Sequence, residues 1–161
     1  PAGLTIVIIR DDLLGKVPNL PPMLDFKVQA DNASMYNTPS CFSIYVAGEV
    51  FKWLLDLGGL KEMQKFNEAK AKLLYDYLDH STFFAPTIHD PKDRSIMNIC
   101  FLSPTKETDK AFVAYAEAKG LVNLKGHRSV GGMRASLYNG MTLDGVKELI
   151  RVMKEFADLQ S

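Results

Sequence analysis

Leu4-Thr5-Ile6-Val7-Ile8-Ile9 is the stretch that most restricts what this chain can become. An apolar, β-branched run without alternation predicts a strand covered on both faces. Such a strand demands sheet neighbours on either side and helical layers above and below, which points to an α/β architecture. Only Pro1-Ala2-Gly3 stands before it, with no initiator methionine, so the chain is expected to be the C-terminal part of something larger. Its 161 residues suit one ordinary domain, or a small domain joined to part of another.

Charge narrows the function classes. Nineteen basic residues balance nineteen acidic ones, so no global field recruits nucleic acid or an anionic membrane. No apolar run approaches the roughly 20 residues of a membrane span, and no signal-peptide pattern opens the chain. Cys41 and Cys100 lack metal-ligand spacing and read as buried, reduced thiols of a cytoplasmic protein.

Helices and strands follow from periodicity and punctuation. Pro18, Pro21 and Pro22 make Asp11 to Asn32 a loop-rich segment. Thr38 as N-cap and Pro39 at the first helical position predict a helix whose apolar face carries Phe42, Val46, Val50, Trp53 and Leu57. Gly58-Gly59 ends it, and a second helix runs from Leu60 through Met63, Phe66, Leu73, Leu74, Tyr77 and Leu78. The domain boundary is placed here, giving residues 1–59 and 60–161 as the two parts. Strands are expected at Phe83 to Thr87, Ser95 to Leu102, Leu121 to Lys125 and Met133 to Tyr138. Helices are expected at Thr105 to Lys119 and Thr142 to Leu159. The second part is therefore a small α+β domain with helices on one face of its sheet.

The chemistry concentrates in Lys125 to Asn139. Period-two geometry puts Met133, Ala135 and Leu137 on one face and Arg134, Ser136 and Tyr138 on the other. His127 and Arg128 lie in a turn bounded by Gly126 and Gly131-Gly132. A guanidinium offers a rigid fork matched to carboxylate or phosphate, so two arginines six residues apart suit a ligand with two separated anions. A salt-bridged surface arginine and a solvated basic turn fit the same pattern. Asn37-Thr38 at a helix start offers a third anion site, beside the ordinary role of a capping threonine. His80 and His89 have no partner at metal or triad spacing and read as surface residues. Trp53 reads as core, and no lysine stands in an apolar context that would mark a Schiff-base nucleophile.

Taken together, three segments closely resemble the phosphoserine aminotransferase family of class-V aminotransferases. They are Pro-Ala-Gly with the following apolar run, Ser34-Met35-Tyr36-Asn37-Thr38-Pro39-Ser40-Cys41-Phe42-Ser43-Ile44-Tyr45, and Gly126-His127-Arg128-Ser129-Val130-Gly131-Gly132-Met133-Arg134-Ala135-Ser136-Leu137-Tyr138-Asn139. The resemblance runs the length of the chain and is to the C-terminal part of the family. It implies a fold-type I, pyridoxal 5'-phosphate-dependent transferase, cytoplasmic and homodimeric. The chain would supply the last part of the large domain and the small C-terminal domain. It implies amino transfer between L-glutamate and 3-phosphohydroxypyruvate, giving O-phospho-L-serine and 2-oxoglutarate in serine biosynthesis.

The resemblance assigns Arg134 to the substrate α-carboxylate, His127 and Arg128 to the distal anion, and Asn37 and Thr38 to the cofactor phosphate of the partner subunit. The aldimine lysine of the family lies just before Pro-Ala-Gly, so no residue here inherits a catalytic role, and the chain alone is expected to be inactive. Two alternatives stand beside it. One is another class-V transaminase or a desulfurase-like enzyme; the other is a non-catalytic binding or dimerisation module.

Overall fold

A computed structural model describes residues 2–127 and 129–160. The chain forms two compact units, Pro1–Asp56 and Leu57–Ser161.

The second unit is built from three helices and a small sheet. Helix α3 (Leu60–His80) follows Gly59, whose φ of +82° lets the chain turn directly out of the preceding segment. Its spacing of Met63, Ala71, Leu74, Tyr75 and Leu78 buries one stripe. Helix α4 (Lys106–Ala118) opens with a capping box: Thr108 N–H donates to Thr105 Oγ1 at 3.1 Å, and Thr105 N–H to Thr108 Oγ1 at 3.0 Å. Gly120 ends that helix at φ +85°. Helix α5 (Leu143–Gln160) buries Val146, Leu149, Ile150, Val152, Met153 and Phe156.

Strands β1 (Ala85–Pro86), β2 (Asn98–Leu102) and β3 (Met133–Ser136) form an antiparallel sheet in the order β1-β2-β3. Ile99, Phe101, Met133 and Ala135 turn inward to the helices, where edge-to-face rings fill the core. Phe84 and Phe112 stand 4.8 Å apart, and Phe112 and Phe156 5.4 Å apart.

Three expectations change here. The first strand shrinks to Ala85–Pro86, because Ser81 Oγ draws the N–H groups of Phe83 and Phe84 into a local turn and Pro86 has no N–H to extend a ladder. Leu121 to Lys125 is not a strand. Asn123 takes a left-handed φ of +63°, and only Lys125 forms an isolated bridge, to Met133. Cys100 is half-buried and Cys41 exposed; both thiols are free but neither is a core group.

The first unit departs further. Leu4 to Ile9 forms no strand and is not buried; Ile8 is 97% exposed. An extended segment becomes a strand only by pairing, and among the described residues no strand pairs with it. The unit carries a short helix α1 (Phe26–Asp31), capped by the Asp25 carboxylate on Lys27 N–H at 2.9 Å, and the longer α2 (Cys41–Asp56). Helix α2 begins beyond Pro39: its first bond runs from Ile44 N–H to Ser40 O at 3.0 Å, so Thr38 does not cap it. Phe42, Val50, Trp53 and Leu57, expected as a core face, are exposed, and Ser43 is the buried residue of α2.

A bidentate pair fastens the 88–94 loop of the second unit to α3. Arg94 donates to both Asp79 oxygens at 2.7 and 2.6 Å and to Ile88 O at 3.0 Å, with its guanidinium 4.5 Å from the Tyr75 ring centre. These hydrogen bonds hold the Asp79 carboxyl below the ordinary carboxylate range, against the opposing effect of burial. A depressed folded pKa gives stability that is full above the unfolded value near 3.9 and lost as pH falls through the folded value. Asp79→Asn should therefore lower the melting temperature at pH 7 by several degrees, from a loss of about 1 kcal/mol after screening of the water-facing carboxylate. The gap to the parent protein should narrow as pH falls below the unfolded carboxylate value near 3.9. Melting curves from pH 7 to pH 2.5 test this; a gap independent of pH would refute it.

Candidate anion-binding site

Pairing of β2 with β3 in the register Asn98↔Ser136 and Cys100↔Arg134 fixes which side chains share the sheet's open face. The alternation expected from the sequence holds: Met133, Ala135 and Leu137 are buried, while Arg134 and Ser136 are half-buried and Tyr138 is exposed. Asn98 bridges this row, donating from Nδ2 to Tyr138 Oη at 2.9 Å and accepting at Oδ1 from Ser136 Oγ at 3.2 Å. Arg134 makes no ion pair among the described residues, and its Nε–H is buried without a partner. A buried donor left open costs free energy until something accepts from it.

The loop before β3 is pinched at its base by glycines. Gly126 N–H donates to Gly132 O at 2.8 Å, and Val130 and Gly131 N–H both donate to His127 O, at 3.0 and 2.8 Å. A Cβ on Gly126 would collide with Gly131 O and stand 2.7 Å from Gly132 O. Gly132 adopts φ +65°, with Phe101 O 2.9 Å from where a Cβ would lie. His127 is exposed at the mouth of this loop. Its Nδ1 accepts from Ser129 N–H at 3.3 Å and lies 2.7 Å from Ser129 Oγ, which leaves Nε2 facing away from that turn. Arg128 lies outside the described residues.

On the other side of β3 is a residue pair that residue-by-residue reading passed over. Lys70 is fully buried. Its Nζ donates to Leu137 O at 3.0 Å and Tyr138 O at 2.9 Å and lies 4.8 Å from the Phe66 ring centre. Burial pushes this ammonium below the ordinary lysine range. One turn earlier, the buried Asn67 donates from Nδ2 to Asn139 Oδ1 at 2.8 Å. Both residues continue the buried 63-67-70-74-78 stripe of α3, the signal by which they were legible.

Asn37 and Thr38 belong to the first unit, just before α2. Both are exposed, and Asn37 Nδ2 donates to Thr38 O at 3.3 Å. His80 and His89 are also exposed, as expected, and His80 Nδ1 lies 2.7 Å from Asp76 O.

The family model for class-V aminotransferases matches residues 1–149. The chain belongs to that family. It is 57% identical over 158 residues to a phosphoserine aminotransferase of Listeria monocytogenes serovar 1/2a, covering 98% of this chain and 43% of that protein. It is 54% identical over 157 residues to one from Lactococcus lactis subsp. lactis, with the same two coverages. The chain thus spans less than half the length of these relatives. Among solved structures, the phosphoserine aminotransferase of Bacillus circulans subsp. alkalophilus superposes with a TM-score of 0.91 at 42% identity, over 95% of this chain and 43% of that one. A pyridoxal-phosphate-bound phosphoserine aminotransferase from Trichomonas vaginalis gives 0.80 at 40% identity, over 86% and 39%. The α/β fold-type I class expected from the sequence is therefore confirmed.

The pinch at the loop base gives a direct test. Gly126→Ala should destabilise the protein by about 2 kcal/mol or more, because backbone oxygens must move. Gly140→Ala, where a Cβ meets nothing within 4 Å, should be neutral or slightly stabilising. Denaturation midpoints compare the two, and equal midpoints would refute the pinch.

Proposed function

We propose that the protein carrying this chain is a phosphoserine aminotransferase. It moves an amino group between L-glutamate and 3-phosphohydroxypyruvate, giving O-phospho-L-serine and 2-oxoglutarate, as a homodimer in the cytoplasm. The observation that carries this reading is Arg134: a guanidinium with a buried, unanswered Nε–H on the open face of β3, just after a glycine-pinched loop bearing His127. Relatives named phosphoserine aminotransferase, at 57% and 54% identity, support the same reading.

Both amino acids of this reaction carry an α-carboxylate and a more distant anion. One site must hold each in turn, so two cationic clamps at a fixed separation are required. Arg134 takes the α-carboxylate, where a planar fork fixes both distance and rotation. His127 and Arg128 take the far end. His127 can donate from Nε2 to either carboxylate or phosphate, which is what a site alternating between the two needs.

Asn37 and Thr38 suit the phosphate end of pyridoxal phosphate in the partner subunit. Their amide and hydroxyl are exposed, the Thr38 hydroxyl makes no hydrogen bond among the described residues, and the 16-residue helix α2 follows with its dipole favouring an anion near its start. When bound, that cofactor supplies the electron sink for amino transfer. The residues of this chain bind and orient.

In the full-length protein, Arg134→Ala should raise KM for both glutamate and phosphoserine by about 30- to 150-fold, the effect of losing about 2–3 kcal/mol of charge-assisted bonding. Steady-state kinetics with each amino donor measure it. A normal KM for both would overturn the carboxylate role.

A further inference from the structure

We propose that Lys70 and Asn67 are positioning residues that aim Arg134 by fixing the backbone where β3 leaves the sheet. This deepens the preceding reading and rests on Arg134 being the carboxylate clamp. Three observations carry it.

Arg134 has nothing of its own to aim it. It makes no ion pair among the described residues, and its Nε is unpartnered, so the direction of its fork is inherited from the backbone of β3. That backbone is lightly held on its outer side: beyond β2, the described residues give it the Lys125–Met133 bridge and two 2.8 Å bonds, from Arg134 N–H to Leu124 O and, just before the strand, from Gly126 N–H to Gly132 O. The exit of the strand, by contrast, is gripped. Lys70 Nζ binds the carbonyls of Leu137 and Tyr138, and Asn67 binds the Asn139 side chain, so three consecutive residues are tied to one face of α3.

The choice of lysine is the informative part. Position 70 lies on the buried stripe of α3, where methionine or leucine would pack with no desolvation cost. Lys70 is instead fully buried, and no carboxylate pairs with it among the described residues. Its partners are two backbone oxygens and the Phe66 ring face. A buried cation with only those partners defines the place of the carbonyls it holds. They belong to residues three and four positions after Arg134, along a stretch too short and extended to flex independently.

The test uses the full-length holoenzyme. Lys70→Met keeps the apolar stem and removes both bonds, Lys70→Arg keeps a cationic donor, and Asn67→Leu removes one bond together with an amide oxygen that has no partner. Lys70→Met should raise KM for glutamate and phosphoserine together by about tenfold with kcat changed less than threefold, and Lys70→Arg should recover most of the loss. Asn67→Leu should give the same split, more weakly, and serves alone if Lys70→Met does not fold. Added to Arg134→Ala, either substitution should raise KM no further, because each acts through that side chain.

Unchanged KM in both Lys70→Met and Asn67→Leu, with Arg134→Ala still impaired, overturns the positioning role and spares the carboxylate role. Multiplying effects in the double variants also overturn it, since they mean a route that bypasses Arg134. If Arg134→Ala itself is without effect, the carboxylate role fails first and the positioning role falls with it.

Discussion

The two-residue period of β3 is the constraint on which the rest of the site depends. One slip of register would drive Arg134 into the aromatic core and lift Met133 and Ala135 to the open face. Three things prevent it: the pairing of Cys100 with Arg134, the pinch between Gly126 and Gly132, and the grip of Lys70 on the strand's exit. Core packing and ligand-facing chemistry are thus two sides of a single ribbon. Burial of Met133, Ala135 and Leu137 pulls in one direction while Asn98 knits Ser136 and Tyr138 on the other. The guanidinium sits between two sets of contacts that do not include it.

How far a residue's surroundings are local decides how legible it was in the sequence. Helices α3, α4 and α5 were readable because periodicity and punctuation are written within a few neighbouring residues, as in the Gly58-Gly59 stop before α3. The faces of β3 were readable for the same reason. Leu4 to Ile9 was not, because a buried strand is a statement about its neighbours, and apolar composition names none of them. Asn123 ended an expected strand through a single positive φ that composition does not announce. Lys70 was missed because a lysine is ordinarily solvated; only its place on the buried stripe of α3 sets it apart. Of the site itself, His127 and Arg134 could be placed relative to the loop and strand that carry them, while Thr38 proved to lie outside the helix it was expected to cap.

The first unit follows a different logic. Its helix α2 is held at its start by polar contacts: Ser43 Oγ donates to Ala2 O at 3.1 Å, and Gly3, at φ +115°, lies close enough to Ser40 that a Cβ would stand 3.1 Å from its hydroxyl. Ala2-Gly3 therefore docks on the α2 start, which gives these small residues a physical reason. Phe42, Tyr45 and Leu55 are each about two-thirds exposed or more on the helix that follows.

Arginine rather than lysine at position 134 completes the logic. A lysine could swing its point charge toward an anion from many backbone positions, so a loosely held strand would serve it almost as well. A guanidinium engages a carboxylate edge-on through paired donors, and an error of about 10–20° in its plane breaks one of the two bonds. The demand for a rigid fork thus becomes a demand for a rigid strand. Here part of that rigidity comes from the buried Lys70, a cation whose polar partners among the described residues are carbonyls of that strand's exit. One positive charge is buried to hold backbone so that another can meet a ligand in a fixed orientation.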